Sequence, residues 1–315
     1  MLPDRYGAKP EGSRPGEGRR MLGQQILNGV VSGMVYALFA LGLTFVYGVH
    51  RVLNLAHGAV FMWGAFVGLL SVTQLGLPLW AAFLVAMLFG GLTSVLLDFL
   101  AFRPLRQRQG DELATIVSSI GANLVMMNVA QQLSGAQIMN FPLDIVPFDN
   151  YRIGGLLVSL QSLVIVGMVL VLVIGLAIYL FRTSFGTQVR AVAINENMAR
   201  LVGITPAKIY FQTFFLSGAL AGAAGVILGV SYNSVSYFMG EPMLLRAFAI
   251  IVLGGLGSFL GALISSILFG IVESLTIAYA STQISDMLTF ALLFVVLLVR
   301  PWGFFRGLHH EHRKA

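Results

Sequence analysis

The stretch Arg51-Val-Leu-Asn54-Leu-Ala-His57-Gly58-Ala-Val-Phe-Met-Trp-Gly64 places an amide, an imidazole and two glycines in an otherwise apolar segment. Hydrocarbon offers no water to satisfy polar side chains or loosened backbone, so such residues face a protein interior or a wet cavity. Glycine also permits the dihedral angles that a helix break requires. The stretch predicts a broken helix in a membrane protein, with Asn54, His57 and Gly58 as candidate lining residues of a translocation pathway.

The composition of the whole chain agrees with a membrane location. Hydrophobic residues make up 57% of the sequence and charged residues 10%, whereas soluble domains carry roughly 25% charge. A helix needs about 20 apolar residues to cross the bilayer. Long apolar segments lie at 22–48, 51–74, 78–102, 113–134, 156–181, 209–231, 243–277 and 284–300. We predict an all-α fold, a polytopic transmembrane helical bundle with broken or re-entrant helices, in a membrane domain at 21–303.

The distribution of charge predicts how the chain is oriented. Three basic connections should be cytoplasmic under the positive-inside rule: 103–108, 182–208 and 300–314. The connections 135–155 and 232–245, which hold acidic residues and almost no basic ones, should be external. The net charge of +6 is therefore explained by orientation in the lipid bilayer, with no nucleic acid as a partner.

Both ends of the chain are predicted to lie outside the membrane domain. Residues 1–20 have too few large apolar side chains to bury a core, which predicts a disordered N-terminal arm. Residues 304–315 are predicted to be a cytoplasmic tail.

The predicted orientation requires 243–277 to leave the external side and return to it, and Gly254-Gly255-Leu-Gly257-Ser258 supplies the break for this. The segment 51–74 must likewise leave the external side and return to it if the arm is cytoplasmic, and is an ordinary span if the arm is external. In the first case the stretches 22–102 and 209–300 share an order of outward span, broken element and inward span. This order predicts an internal repeat, with the substrate path near the two breaks.

Further polar residues inside the apolar segments are candidates for the same pathway. Asn28, Ser32 and Tyr36 recur at four-residue spacing and form one polar stripe on the first span. Glu273 lies deep in an apolar segment, where a carboxylate must be paired, protonated or facing water. Backbone N–H groups of the second break are expected to suit a substrate carboxylate. The residues of this break are Gly254, Gly255, Gly257 and Ser258.

Several of these polar residues also have purely structural interpretations. His57 either lines the path, donates a hydrogen bond to a substrate carboxylate, or ties its broken segment to a neighbouring helix, and the structural tie is favoured. Asn54 would share the His57 face if the segment were helical. Glu273 fits a structural ion pair as well as a cavity wall. Asp98 lies near Arg103, which predicts a local ion pair at the inner end of its span.

The connection 184–204 has the pattern of a short surface helix. Asn195 suits an N-cap, Glu196 suits the first turn, and Gly203 suits the left-handed position after the last turn. Such a helix either rests on lipid headgroups or docks into a partner's groove, and docking is favoured because apolar anchors are flanked by arginines. The residues predicted to couple to a partner are Arg190, Asn195, Glu196, Met198, Arg200, Leu201 and Gly203.

Taken together, these residues make the chain resemble the LivH-type permeases of branched-chain amino acid ABC importers, a family that also includes amide and urea permeases. The resemblance covers nearly everything after residue 20 and rests on the order and spacing of short motifs. These are Gly33-Met-Val-Tyr36-Ala-Leu, Tyr47-Gly48, Asn54-Leu-Ala-His57-Gly58, Phe102-Arg103-Pro104-Leu105-Arg106, the loop 190–204 and Gly254-Gly-Leu-Gly-Ser258.

The resemblance implies a multi-pass pore subunit of the bacterial inner membrane. It implies pairing with a second homologous permease, two cytoplasmic ATPase subunits, and a periplasmic substrate-binding protein that delivers the cargo. The loop 190–204 would be the coupling helix that sits in an ATPase groove. The implied cargo is a branched-chain or related amino acid, with urea, amides or small carboxylates as alternatives. ATP would be used by the partner subunits, so no cofactor is expected in this chain.

The sequence also bears on other classes of function. It contains no G-x-x-x-x-G-K-[ST] phosphate loop, so the chain is not itself the ATPase. It has no cysteine, which excludes a thiolate metal site or nucleophile. A stand-alone secondary transporter or channel is the main alternative. An intramembrane hydrolase built on Ser258 and His57 would need a base and oxyanion donors in reach, and no enzyme is predicted.

Overall fold

A computed structural model describes residues 17–108, 112–142, 150–153, 156–300 and 303–304, which are mainly helical. The helices are α1 (Glu17–His50), α2 (His57–Thr73), α3 (Leu79–Leu97), α4 (Arg103–Gln107), α5 (Glu112–Ser134), α6 (Leu160–Arg182), α7 (Ser184–Ile194), α8 (Glu196–Leu201), α9 (Pro206–Ser231), α10 (Gly240–Gly254), α11 (Phe259–Tyr279) and α12 (Thr282–Val299). A π-helix, Asp98–Phe102, joins α3 to α4, and strands β1 (Asn150–Ile153) and β2 (Leu156–Ser159) form an antiparallel hairpin.

The long helices have the length and composition of membrane spans. Within the described residues, six helical stretches are long and apolar enough to cross a bilayer. They are Arg20–His50, Leu79–Gln107, Leu113–Ser134, Leu160–Arg182, Pro206–Ser231 and Phe259–Tyr279. The chain is therefore a multi-pass helical membrane protein, as the sequence predicts.

The helix boundaries follow local sequence signals. Ser159, Ser258 and Ser281 each accept a hydrogen bond from the backbone N–H three residues later and so cap α6, α11 and α12. Pro206 occupies the first turn of α9, where its missing N–H costs nothing. α1 begins at Glu17, inside the predicted arm; residues 1–16 of that arm and residues 305–315 of the predicted tail lie outside the described residues.

Hydrogen bonds at the two ends of α1 show which elements share an end of the bundle. The Gln24 side chain donates to the carbonyl of Leu157 at 2.9 Å, which puts the start of α1 beside the β-hairpin. The Arg51 guanidinium donates to the carbonyl of Ala193 at 3.2 Å, which puts the end of α1 beside α7. We call these the hairpin end and the α8 end of the bundle.

The helices alternate between these two ends as the charge pattern predicts. α3, α6 and α12 run toward the α8 end, and α5, α9 and α11 run back. Arg51 lies at the α8 end, and α3 starts at the hairpin end, so 51–74 connects opposite ends. This agrees with the alternative in which the N-terminal arm and α8 lie on different sides.

The predicted break in 51–74 is present, and it shortens α2. Residues 51–56 are not helical, and they lead the chain from the α8 end back alongside the middle of α1. There His57 Nε2 lies 3.3 Å from the Phe39 carbonyl oxygen. α10 begins in the same region: a Cβ on Gly58 would lie 2.8 Å from the Gly240 carbonyl oxygen. With 17 and 15 residues, α2 and α10 are shorter than the about 20 residues of a full span.

The predicted break in 243–277 lies between α10 and α11. Gly255 and Gly257 have φ angles of +93° and +83°, in the left-handed region that favours glycine. Gly48 at the end of α1 packs against Gly257, so this turn lies at the α8 end. α10 and α11 therefore form a hairpin that reaches the α8 end and returns, as the orientation requires.

Close glycine contacts hold the central helices together. α1 and α9 are the most buried spans, α1 packs along α11, and α3 packs along α9. A Cβ on Gly29 would lie 2.5 Å from Ile271 Cα, and one on Gly64 would lie 2.4 Å from Gly222 Cα. Because these backbones touch, no larger side chain fits there.

The repeat predicted over 22–102 and 209–300 requires the first span of each stretch to run in the same direction, and the structure differs on this point. α1 runs toward the α8 end and α9 runs away from it. The neighbours nevertheless pair alike, since α1 packs on α11 as α9 packs on α3. The two short helices also contact each other. The repeat itself stays a prediction.

Candidate functional site

A polar cavity lies between α1, α11 and the residues that follow α9. It has a volume of about 230 Å³. It is lined by Gln25, Ser32, Tyr36, Tyr232, Gly270, Glu273, Ser274, Ile277 and Ala278. These residues come from the beginning and middle of α1, the second half of α11 and the segment just after α9, so the cavity extends from the hairpin end to the middle of the bundle. It brings together three of the predicted pathway residues, Ser32, Tyr36 and Glu273.

The charge of Glu273 is balanced by an arginine that the sequence interpretation missed. Arg246 Nε donates to Glu273 Oε1 at 2.8 Å, and both side chains are largely buried. Tyr36 lines the same cavity as Glu273. Glu273 is therefore both a member of an ion pair and a part of the cavity wall, the two alternatives considered for it. The signal that could have identified this partner is the position of Arg246, a basic residue within an apolar segment.

Asn28 lies outside this cavity although it belongs to the predicted stripe. Its side chain is exposed and accepts a hydrogen bond from Gln24 Nε2 at 3.2 Å. Gln24 in turn bonds the β-hairpin through Leu157. The described contacts of Asn28 thus belong to the hairpin end of α1.

The structure places His57 and Asn54 in the packed interior, apart from the cavity lining. Both are fully buried. The His57 ring packs on Phe39 with centroids 4.6 Å apart, and its Nε2 is paired with the Phe39 carbonyl. Asn54 precedes the helix and accepts a hydrogen bond from the Ala56 N–H at 3.1 Å. These contacts support the structural tie for His57, and Gly58 provides the close approach to Gly240.

The second break is also separate from the cavity. Ser258 Oγ accepts from the Gly261 N–H at 3.1 Å, and the Ser258 N–H donates to the Gly255 carbonyl at 3.0 Å. Gly254 packs directly on Gly261, and Gly257 packs on Gly48 at the α8 end. These groups shape the turn, and the carboxylate-binding role predicted for Gly254, Gly255, Gly257 and Ser258 stays a prediction.

The helix predicted in 184–204 is present as α8, preceded by α7. Asn195 Oδ1 accepts from the Met198 N–H at 3.1 Å, and Gly203 has a φ of +85°. The cap and the stop signal therefore act as the sequence predicts. Met198, Leu201 and Val202 are exposed, Leu201 at 81%. This exposed apolar surface, which we call the α8 anchor, suits either of the two contacts considered for the helix, a partner's groove or lipid headgroups.

The two arginines of this region differ in their surroundings. Arg190 Nη1 donates to the Leu180 carbonyl at 3.1 Å, so this side chain holds α7 against the end of α6. Arg200 pairs with Glu196 one helical turn earlier and remains largely exposed. Arg200 is therefore the better placed of the two to meet a partner's acid.

A chain of polar contacts leads from α8 into the bundle. The Tyr210 hydroxyl on α9 donates to Glu196 Oε2 at 2.8 Å. The Arg106 guanidinium lies 4.2 Å from the Tyr210 ring centroid, bonds Asp98 at 3.2 Å and contacts His50 Nδ1 at 3.1 Å. We call these five residues the α8 relay. It joins α8 to α9, to the π-helix after α3 and to the end of α1.

The ion pair of Asp98 differs from the sequence expectation. Its partner is Arg106, whereas Arg103 lies over the ring of Phe99. The segment Asp98–Phe102 is a π-helix, so its wider turn changes the spacing at which side chains share a face. Together with α4 it places the Arg106 guanidinium, rather than that of Arg103, in contact with Asp98.

Comparisons with known proteins identify relatives along nearly the whole chain. The sequence profile described as branched-chain amino acid transport system, permease component, matches residues 25–297. The chain is 31% identical to the high-affinity branched-chain amino acid permease protein BraD of Pseudomonas aeruginosa, over 89% of this chain and 94% of that protein. It is 32% identical to LivH of Escherichia coli K12, with the same coverage.

More distant similarities agree with these. The chain is 26% identical to LivM of Escherichia coli K12, over 86% of this chain and 67% of that protein. An inward-facing ABC transporter structure assigned to the metal-chelate type shares the fold, with a TM-score of 0.50 and 21% identity over 94% of this chain and 92% of that one. The chain belongs to the family of permease components of branched-chain amino acid transport systems.

Proposed function

We propose that this permease is the membrane subunit of a binding-protein-dependent ABC importer for branched-chain or related amino acids. Family membership implies ATPase and substrate-binding partners. The observation that carries the proposal is the α8 anchor, an exposed apolar surface joined to the bundle through the α8 relay. In a stand-alone transporter or channel the α8 anchor would have only lipid headgroups to contact.

The cargo is inferred from the relatives and from the cavity. BraD and LivH are named as high-affinity branched-chain amino acid permease proteins. The cavity combines hydroxyl and carboxylate groups with apolar residues, which suits a small molecule with both polar and aliphatic parts. Urea, amides and small carboxylates remain the alternative cargoes within the same type of transporter.

The partners follow from the same proposal. Two cytoplasmic ATPase subunits would bind the α8 end, and a periplasmic binding protein would deliver cargo at the hairpin end. The similarity to LivM as well as LivH supports a second homologous permease. The N–H of Phe304 bonds the Leu253 carbonyl at the α8 end, so the segment after α12 would be cytoplasmic in the inner membrane. ATP would be bound by the ATPases, and this chain would hold no cofactor.

The mechanism would use the α8 relay to connect nucleotide-driven closure with the membrane helices. Glu196 on α8 bonds Tyr210 on α9, so a displacement of α8 is passed to a central helix. Arg106 extends the contact to α1 and to the helix after α3. Closure of the ATPases would thereby change access to the cavity.

The test is Leu201→Glu in a transporter reconstituted with its ATPases and binding protein. A buried anchor residue contributes at least about 2 kcal/mol to an interface, so we expect ATPase binding and leucine uptake to fall about 30-fold. Leu113→Glu is the matched control, because Leu113 is 73% exposed at the same end of the bundle, at the start of α5.

The outcome separates the importer from a stand-alone transporter. Uptake that needs ATP and the binding protein, and that is lost in Leu201→Glu alone, supports the proposal. Leucine uptake by the purified permease without ATPase subunits would contradict it.

A further inference from the structure

The cavity wall contains a buried pair of opposite charges with open space beside it. Glu273 lines the cavity, and Arg246 reaches it from α10, with side chains 7% and 24% exposed. Charges inside a membrane bundle are expensive and mark a substrate path where they face a wet cavity. The two partners come from different helices, so their separation can change when α10 moves against α11.

This pair has the chemistry of an amino acid's backbone. An α-amino acid carries a carboxylate and an ammonium group on one carbon. A guanidinium offers forked donors that match a carboxylate, and a carboxylate accepts hydrogen bonds from an ammonium. We infer that Arg246 and Glu273 form a zwitterion subsite, in which each residue exchanges its partner for the opposite group of the incoming amino acid. Without cargo the two side chains neutralise each other, so no unpaired charge is left buried.

The surrounding residues fit the rest of such a ligand. Ser32 and Tyr36 add hydroxyl groups beside Glu273, while Ile277 and Ala278 provide an apolar wall for an aliphatic side chain. The cavity of about 230 Å³ is smaller than the roughly 300–1,000 Å³ of sites for drug-sized ligands. A single amino acid is therefore the appropriate size class.

This inference rests on the proposed function, because it takes an amino acid as the cargo. It goes further by specifying which groups of the cargo are recognised. Urea and amides lack both charges of a zwitterion, and a simple carboxylate lacks one. The subsite therefore favours amino acids over each of the alternative cargoes.

The chain contains no cysteine, so a single-cysteine variant reports occupancy of the cavity directly. In the permease–ATPase complex, Ser274→Cys would be labelled with a water-soluble methanethiosulfonate, with and without leucine. We expect leucine to slow the labelling. Leucinamide, which lacks the carboxylate, and 2-hydroxy-4-methylpentanoate, which lacks the ammonium, should each protect at least about tenfold more weakly. Gln137→Cys, exposed in the loop after α5, should be labelled equally in all conditions.

Variants of the pair distinguish recognition from a structural role. Glu273→Gln and Arg246→Gln should each weaken leucine protection of Ser274→Cys at least about tenfold. The double variant Arg246→Met/Glu273→Leu removes both charges, a change that commonly leaves a buried pair's fold intact. A structural pair would keep leucine protection in this double variant, whereas a zwitterion subsite loses it while the thermal unfolding temperature is maintained.

Three results would overturn the subsite: equal protection by leucine and its two analogues, protection that survives in the double variant, or no protection by leucine at all. ATP hydrolysis stimulated by the loaded binding protein is measured on the same samples. Stimulated hydrolysis without protection refutes the subsite and leaves the proposed function standing. Failure of the permease to bind ATPases refutes the proposed function instead.

Discussion

Tyr210→Phe tests whether the α8 relay transmits force between α8 and the membrane helices. The substitution removes the hydroxyl that donates to Glu196 Oε2 at 2.8 Å. It retains the aromatic ring that lies 4.2 Å from the Arg106 guanidinium, so the cation–π contact persists. Glu196 also keeps its ion pair with Arg200. The change therefore removes one link of the α8 relay and preserves its neighbours.

The expected magnitude follows from the type of hydrogen bond and its exposure. A hydrogen bond to a charged group contributes about 1.5–3 kcal/mol to stability. The Glu196 side chain is 33% exposed, and water reduces the contribution, so the lower value of about 1.5 kcal/mol applies. If this hydrogen bond makes α9 move together with α8, its loss changes the ratio of ATP hydrolysed to leucine transported by up to about tenfold.

The assay is the ratio of ATP hydrolysed to leucine transported in proteoliposomes that contain the complete transporter. We expect Tyr210→Phe to raise this ratio while the amount of assembled complex stays constant. Tyr179→Phe is the control, because Tyr179 packs on Phe185 at the same end of the bundle and is outside the α8 relay. A ratio equal to that of the wild type in Tyr210→Phe would refute transmission through this hydroxyl.

Two further predictions concern the stability of the bundle. Gly58→Ala places a Cβ 2.8 Å from the Gly240 carbonyl oxygen and should lower the free energy of unfolding by about 1–3 kcal/mol. The control Gly121→Ala has open space around it and should raise the free energy of unfolding by up to about 1 kcal/mol. Equal unfolding temperatures of the two variants in detergent would contradict the Gly58–Gly240 contact. Asp98→Asn leaves Arg106 with a weaker partner and should lower the free energy of unfolding by about 1–3 kcal/mol. The double variant Asp98→Asn/Arg106→Gln should lose less unfolding free energy than the sum of the losses in the two single variants. A loss equal to that sum in thermal unfolding would show that the two side chains are not coupled.

Features that depend on neighbouring residues in the sequence could be predicted without the structure. The α8 helix was identifiable because Asn195 and Gly203 define its two ends by local hydrogen bonding and local dihedral preference. The turn between α10 and α11 was identifiable because Gly255 and Gly257 allow backbone conformations that other residues rarely adopt. The spans could also be predicted locally, because each must contain about 20 consecutive apolar residues to cross the bilayer.

Features that depend on how helices pack could not be predicted in the same way. Arg246 was missed as the partner of Glu273 because the two residues lie on different helices, and their contact depends on the α10–α11 packing. Asn28 shares a helical face with Ser32 by spacing, yet it is exposed, because exposure depends on which elements pack against that turn of α1. The partner of Asp98 depends on the π-helix, whose wider turn changes the side-chain periodicity.

The positions of the cavity and the α8 relay on the two central helices suggest how one can act on the other. α1 carries Tyr36 at the cavity and His50 at the α8 relay, while α9 carries Tyr210 at the α8 relay and is followed by Tyr232 at the cavity. A helix behaves as a stiff rod over this length, so a shift imposed at one end reaches the other. Such a shift would be a small shear of these helices along the neighbours that they contact closely through glycines. Access to the cavity would therefore follow α8 through displacement of α1 and α9, without a dedicated gate.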